Sequence, residues 1–251
     1  MWQSFLGRHT LLVISCFGLF FSSSAFAYIL PSGAILESVR AKRADLKYDT
    51  LIVHGRALDP DTNTVKKQVW RALKNKTGLR TEYKSTTDTQ VDLITHGKQY
   101  KFTNGKPPLK GTNAKSALET VFLIDSTKDE NGIKALRALK TYKVKTKTVS
   151  LNRLNKEIAW VIGAKPGDLD SPQVWIHKEL LVPIRFIYQD PKTDENIEIR
   201  WLGYGSEQTG EWHPGQIDTL KDGKLTNRVM FHRVEVNPKF DTELLNIPTQ
   251  K

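Results

Sequence analysis

The side chains in this sequence that could do chemistry are few and scattered. Five histidines lie beyond residue 27: His54, His96, His177, His213 and His232. No two stand four apart on a helical stretch, the spacing that puts two imidazoles on one face for a metal. None sits among acids at ligand spacing, so each is expected to face solvent or pair locally. Gly203-Tyr204-Gly205-Ser206 opens like a nucleophile turn, but no helical stretch follows to complete the elbow. The glycines, lysine and threonine of 105–112 are not in phosphate-loop order. Glu195, Glu198, Asp218 and Asp222 make no evident acid pair. Asn75-Lys76-Thr77 has the form of a glycosylation acceptor and, in an exported chain of bacterial style, is taken as a chance match. The expectation is a protein without catalytic residues, metal or cofactor. A hydrolase on a β scaffold is the weakest reading, for want of a constellation.

The N-terminus sets the compartment. Arg8 and His9 close a short polar start, residues 11–21 are apolar, and Ser22, Ser23 and Ser24 lead to Ala25-Phe26-Ala27. That is a secretory signal peptide with a small-x-small cleavage site, too short to remain as a membrane-crossing helix. Residues 1–27 are thus expected to be removed and 28–251 to form one periplasmic domain. A rival stands beside it: Val13-Ile14-Ser15-Cys16 loosely resembles a lipoprotein box that would leave a lipid on Cys16, but with the greasy Phe17–Phe21 behind it. Cys16 is the only cysteine, so cleavage at Ala27 leaves no thiol or disulfide chemistry. Cleavage also removes Arg8 and takes the formal charge from +11 to +10. A basic exported chain suits anionic surfaces or acidic partners, and export argues against nucleic acid. Scattered lysines that merely keep the chain soluble explain the charge equally simply.

The elements follow from periodicity. Residues 32–47 place Ile35, Leu36, Val39 and Leu46 at helical spacing, with Ser32 as the expected cap. Alternation then takes over: strands at 51–55, 65–73, 79–85, 90–96 and 98–103, separated by turn-forming residues. Gly105, Pro107, Pro108 and Gly111 break the pattern, and two helices are expected at 114–124 and 131–142. Strands return at 143–151, 157–164, 174–177, 182–189, 197–201 and 225–236, with 212–220 left open and the tail 240–247 either a helical turn or extended. The sum is a mainly β, α+β chain: about eleven antiparallel strands with a few helices, one domain, no repeat.

A sheet this wide curls, and a few short helices cannot cover its inner face. It closes as a barrel or keeps a concave apolar surface, which suits an acyl chain. The candidate lining is Ile158, Trp160 and Ile162 on one strand, Ile184, Phe186 and Tyr188 on another, Ile197, Ile199 and Trp201 on a third, with Trp70 from the first half. The same alternation describes an ordinary core packed on helices. Lys143, Lys145 and Lys147 are expected along one strand face, as a solvated face or as a docking stripe for anionic headgroups or an acidic partner.

Three stretches carry a resemblance. The first is the signal peptide, the amphipathic Ala34-Ile35-Leu36-Glu37-Ser38-Val39 and the strand after it. The second is Val174-Trp175-Ile176-His177-Lys178 with Leu181-Val182-Pro183-Ile184-Arg185-Phe186. The third is Val234-Glu235-Val236-Asn237-Pro238-Lys239-Phe240-Asp241 leading to Leu245-Asn246-Ile247-Pro248. In these the chain resembles the superfamily of periplasmic lipoprotein carriers, the LolA/LolB-like proteins. The resemblance implies a curved, half-open β-barrel with a helical lid over an apolar cavity. In the carriers that cavity holds lipoprotein acyl chains on their way to the outer membrane. Relatives bind other lipids or sense envelope stress. The expected partner is therefore a lipid or lipoprotein acyl chain, or an envelope protein or membrane surface, met by a monomer.

Overall fold

The computed structural model describes residues 29–74, 77–96, 98–104, 106, 112–113, 133–190 and 193–247. The signal peptide, Cys16 and the helix expected at 114–124 lie outside these residues.

Helix α1 spans Ser32–Asp45. Ile35, Leu36 and Val39 are buried along one stripe, and Arg43 continues it one turn further. Ser32 does not cap it. Pro31 occupies the cap position, its carbonyl accepts from the Ile35 N–H at 3.1 Å, and no side chain contributes.

Six strands follow as a meander: β1 (Thr50–Leu58), β2 (Val65–Lys74), β3 (Gly78–Lys84), β4 (Thr89–Thr95), β5 (Lys98–Thr103) and the two-residue β6 (Thr112–Asn113). Helix α2 (Ile133–Thr141) precedes a second meander. This comprises β7 (Val149–Leu154), β8 (Glu157–Ile162), β9 (Gln173–His177), β10 (Pro183–Gln189), β11 (Asn196–Leu202), β12 (Gln216–Lys221) and β13 (Lys224–Val236). A 3₁₀ turn, Thr242–Leu245, closes the described chain. The sheet order is β6-β5-β4-β3-β2-β1-β13-β12-β11-β10-β9-β8-β7, thirteen strands among the described residues. Every named pair is antiparallel, and β6 and β7 at the two ends do not pair with each other. The sheet is therefore an open half-barrel. Its two strands beyond the expected eleven are β6 and β12, the latter from the stretch left open at 212–220.

One cluster shows the curl. Leu79 and Ile94 from the first meander share a continuous core with Trp160, Ile162, Val174 and Ile176 from the far end of the second, and with Ile35, Leu36, Ala135 and Leu139 from the helices. Only a sheet wrapped around α1 and α2 brings these together. The opposite face carries two satellites. Val161, Trp175 and Val182 pack outside β8–β10. Val91, Leu93 and Phe102 receive Leu245 of the 3₁₀ turn, whose neighbour Leu244 accepts from Arg80 Nη1 at 3.2 Å.

The meanders join along β1 and β13, from Leu51↔Val236 to Leu58↔Arg228. The ladder slips between His54 and Gly55, where a Cβ on Gly55 would stand 2.6 Å from the Met230 carbonyl. Glycine is the one residue that lets the backbones approach so closely. Asn237 locks the seam's end: at φ +52 its side-chain oxygen accepts from the Asp49 N–H at 2.8 Å and the Thr50 N–H at 3.3 Å. That is the physical content of the Asn-Pro step noted in the sequence.

Residues 143–148 are not strand. Lys143 takes φ +62, the Val144 N–H returns to the Leu139 carbonyl at 3.2 Å and the Lys143 N–H to the Lys140 carbonyl at 2.9 Å. This is a Schellman termination of α2, and β7 starts only at Val149. Lys143, Lys145 and Lys147 are exposed, as expected, but on consecutive turns rather than one strand face. Among the described residues no helix is long and apolar enough to cross a membrane.

Candidate functional site

The helix-covered side of the sheet holds most of the expected apolar set. Trp160, Ile162, Phe186 and Trp201 are buried in the main cluster, with Tyr188 and Ile199 packed against it. Ile199 faces Phe186 and Ile197 faces Tyr188 across the β10–β11 ladder. The end of α2 adds Tyr142, whose ring meets Phe186 edge-on at 5.1 Å and Tyr188 at 4.9 Å; Phe186 and Tyr188 stack at 4.9 Å. Offset and edge-on pairs of this kind add to simple burial. Burial, with Asp190 nearby, pushes the Tyr188 phenol up to about 12, so it stays neutral in this apolar wall.

Three of the expected liners stand elsewhere. Ile184 is the extra residue of a bulge: the β9–β10 register jumps between Pro183↔Ile176 and Arg185↔Trp175. A bulge reverses side-chain parity, and Ile184 joins Trp175 and Val161 on the opposite face. Trp70 also lies on the opposite face. It pairs with His54 and Glu82, while its neighbours Val69 and Leu73 take the core side. There it borders a surface depression of about 170 Å³ with Gln68, Lys84 and His232. Ile158 heads β8 and is 36% exposed.

Polar groups are buried on the core side as well. Arg71 of β2 reaches His213 Nε2 at 2.8 Å with Nη1 and Thr81 Oγ1 at 3.2 Å with Nε. His213 Nδ1 lies 2.8 Å from the Pro214 carbonyl, so it donates there and Nε2 accepts from the guanidinium. The Phe231 ring packs edge-on to the imidazole at 4.4 Å. From α1, Arg43 donates to Tyr48 Oη at 2.6 Å and to the Trp212 carbonyl at 3.1 Å.

Sequence reasoning missed this group. His213 is expected to face solvent or pair locally; it bonds the Pro214 carbonyl beside it but is buried. The signal was available for the arginines. Arg43 stands four residues after Val39 on the apolar stripe, and Arg71 stands between Val69 and Leu73 in the inward parity of β2. The other histidines behave locally. His177 bonds Glu157 at 2.6 Å and accepts the Glu179 and Leu180 N–H groups of its turn. His54 bonds Glu235 at 3.0 Å. Among the described residues no three histidine, cysteine or acidic side chains come together as a metal site.

Burial, reinforced by the charges of Arg71 and Arg43, holds His213 well below its ordinary value of 6.5 and outweighs the hydrogen bond to Pro214. A base whose folded value is depressed contributes stability above its unfolded value and loses it as pH falls through the folded one. The melting temperature is therefore expected to drop as pH is lowered from 7 to 5. His213→Gln is expected to flatten that drop. Parallel slopes for the two proteins would show that His213 is not held neutral.

Taken together, the described chain is an open antiparallel half-barrel wrapped around two helices, with an aromatic wall inside. Comparison with solved structures places that fold. A domain from Vibrio parahaemolyticus named for outer membrane lipoprotein sorting aligns at a TM-score of 0.50, with 10% identity over 85% of this chain and 95% of its own. A DUF1329 family protein from Desulfovibrio piger aligns at 0.51, with 9% identity over 86% of this chain and 98% of its own. A LolA superfamily protein from Nitrosomonas europaea aligns at 0.49, with 10% identity over 86% and 98%. No protein-family profile matches the chain, and no curated protein matches it. At these identities the likeness is one of architecture: the chain has a LolA-like fold.

Proposed function

We propose that this is a non-catalytic binding protein of the bacterial envelope, exported by a signal peptide at 1–27. It holds the acyl chain of a lipid or lipoprotein against the helix-covered face of its half-barrel, for transport or sorting toward the outer membrane. The observation that carries the reading is the wall formed by Trp160, Phe186, Tyr188, Ile199 and Trp201 under the Tyr142 end of α2. An aromatic-rich concave surface beneath a small helical layer suits an apolar ligand. The architecture shared with a lipoprotein-sorting domain supports the same class. The ligand would enter by displacing helix contacts, and the exposed Lys143, Lys145 and Lys147 beside α2 would meet anionic headgroups or an acidic partner.

A second reading draws on one observation. Ile162, Val174 and Ile176 are fully buried by the protein's own side chains. An interior closed on itself would make the protein an envelope interaction or stress-sensing scaffold with a filled core. Native mass spectrometry with lipid extraction, on protein produced from the full chain and recovered from a periplasmic extract, separates the two. An acyl species carried by the monomer is the expected result. A clean protein that also refuses added fatty acids and phospholipids would overturn the carrier reading. Charge reversal at the three lysines should then abolish partner capture, whereas under the carrier reading it leaves lipid uptake intact.

A further inference from the structure

Among the described residues, two buried side-chain donors bond nothing: Arg43 Nε and Trp212 Nε1. They belong to neighbouring groups, since Arg43 Nη1 donates to the Trp212 carbonyl at 3.1 Å. Arg43 is 3% exposed. Its other bonds go to the Glu211 carbonyl at 3.4 Å and Tyr48 Oη at 2.6 Å, both neutral oxygens. The nearby Glu211 carboxylate is turned to Lys42, at 2.8 Å. His213, whose imidazole can carry no negative charge, does not compensate the guanidinium. The indole of Trp212 is fixed from behind. Gly210 has φ +55, and a Cβ there would stand 2.5 Å from indole Cε3 and Cζ3, so only glycine lets the ring lie on the backbone.

A buried donor without a partner costs about 1–3 kcal/mol. A buried cation without an anion costs more. Both donors belong to residues in direct contact, Arg43 Nη1 with the Trp212 carbonyl, and Trp212 packs against the main core that carries the aromatic wall. Chance strain would scatter them. Ligand oxygens brought from outside would satisfy them.

We propose that Arg43 and Trp212 anchor the anionic head oxygens of an acyl amphiphile whose chain lies along the aromatic wall. The inference rests on the acyl-binding reading and adds the chemistry of the head: Arg43 supplies the charge and Trp212 an aimed donor. A carboxylate or a phosphate monoester would serve.

The test is calorimetric titration of the protein with laurate, methyl laurate and lauryl phosphate, in the parent chain and in Trp212→Phe and Arg43→Gln. Laurate is expected to bind about tenfold tighter than methyl laurate, the increment of a charge-assisted bond. Lauryl phosphate tighter than laurate would identify phosphate as the preferred source of the same oxygen chemistry. Trp212→Phe removes a donor that bonds nothing in the protein, so its melting temperature should hold or rise. Its laurate affinity should nevertheless fall about fivefold while methyl laurate is unaffected. Arg43→Gln should erase the preference for the acid, and Trp212→Phe keeps the test valid if that variant folds poorly. Equal affinity for acid and ester in the parent chain, or equal loss for both in Trp212→Phe, would overturn the anchor and leave acyl binding standing. Binding of none of the three would sink the acyl reading itself.

Discussion

Replacing Phe186 by alanine should lower the unfolding free energy by about 4 kcal/mol and the melting temperature by roughly 10 °C. Phe186 is 1% exposed, stacks on Tyr188, meets Tyr142 edge-on and faces Ile199 across the ladder. Truncation removes that burial and both ring contacts. It also leaves a void walled by two strands whose backbones are pinned on each side, so collapse can recover little. Chemical denaturation of the two proteins measures the difference. A loss below about 1 kcal/mol would mean that the wall is already loosely packed around open space. A large loss that added laurate partly restores would show an acyl chain taking the volume of the missing ring.

Arg185→Met should cost about 3 kcal/mol, an effect unrelated to the interior. Arg185 lies on the opposite face, with its guanidinium 4.9 Å over the Trp175 ring. It makes paired bonds to Glu198 at 2.7 and 3.0 Å, and neither partner is much exposed. Burial by itself would raise the Glu198 carboxyl. The hydrogen bonds from Arg185 and Arg200 outweigh it and hold the group below its ordinary 4.5. Stability from such a carboxylate is present above its unfolded value and is lost as pH falls through the folded one. Without Arg185 the folded value rises toward the unfolded one, so the acid-linked loss of stability should shrink in the variant. The double variant Arg185→Met with Glu198→Leu should recover part of the loss, because the one charge that then loses its partner, Arg200, is open enough to water to be solvated. Simple additivity of the two substitutions in denaturant melts would refute the coupling.

Much of this architecture was legible in the alternation itself. Ile158, Trp160 and Ile162 announced β8. Asp222-Gly223, a turn pair by residue type, joins β12 to β13. Helix, meander, helix and meander came in the order found. What failed did so where one residue changes parity or ends an element. Nothing in composition marks Ile184 as a bulge. The slip arises where Pro183, which cannot donate to the ladder, enters β10. Trp70 takes the outward parity of β2 because Val69 and Leu73 occupy the inward positions. Lys143-Val144-Lys145-Thr146-Lys147 has the period of a strand, but Lys143 in the left-handed region ends α2 and the next residues turn twice. Arg43 is charged, yet its spacing four residues after Val39 puts it on the apolar stripe of α1. These errors share a cause: residue type was allowed to outvote position. The group most concerned, Arg43 with Trp212 and His213, is assembled by contacts across the fold that no local pattern records.

The seam between β1 and β13 has a consequence for timing. Each meander is built of neighbouring hairpins and can form from local contacts as its own residues become available. The seam cannot, because Leu51 waits for Val236, nearly the whole described chain away. Contacts of such separation form late and slow a fold. Until the last strand arrives, the half-barrel exists as two unjoined leaves, each with a bare edge and an uncovered apolar face. Under the export we propose, a joint that closes only at the end keeps the chain threadable for as long as possible. It also makes the interval before closure the period in which it most needs a chaperone.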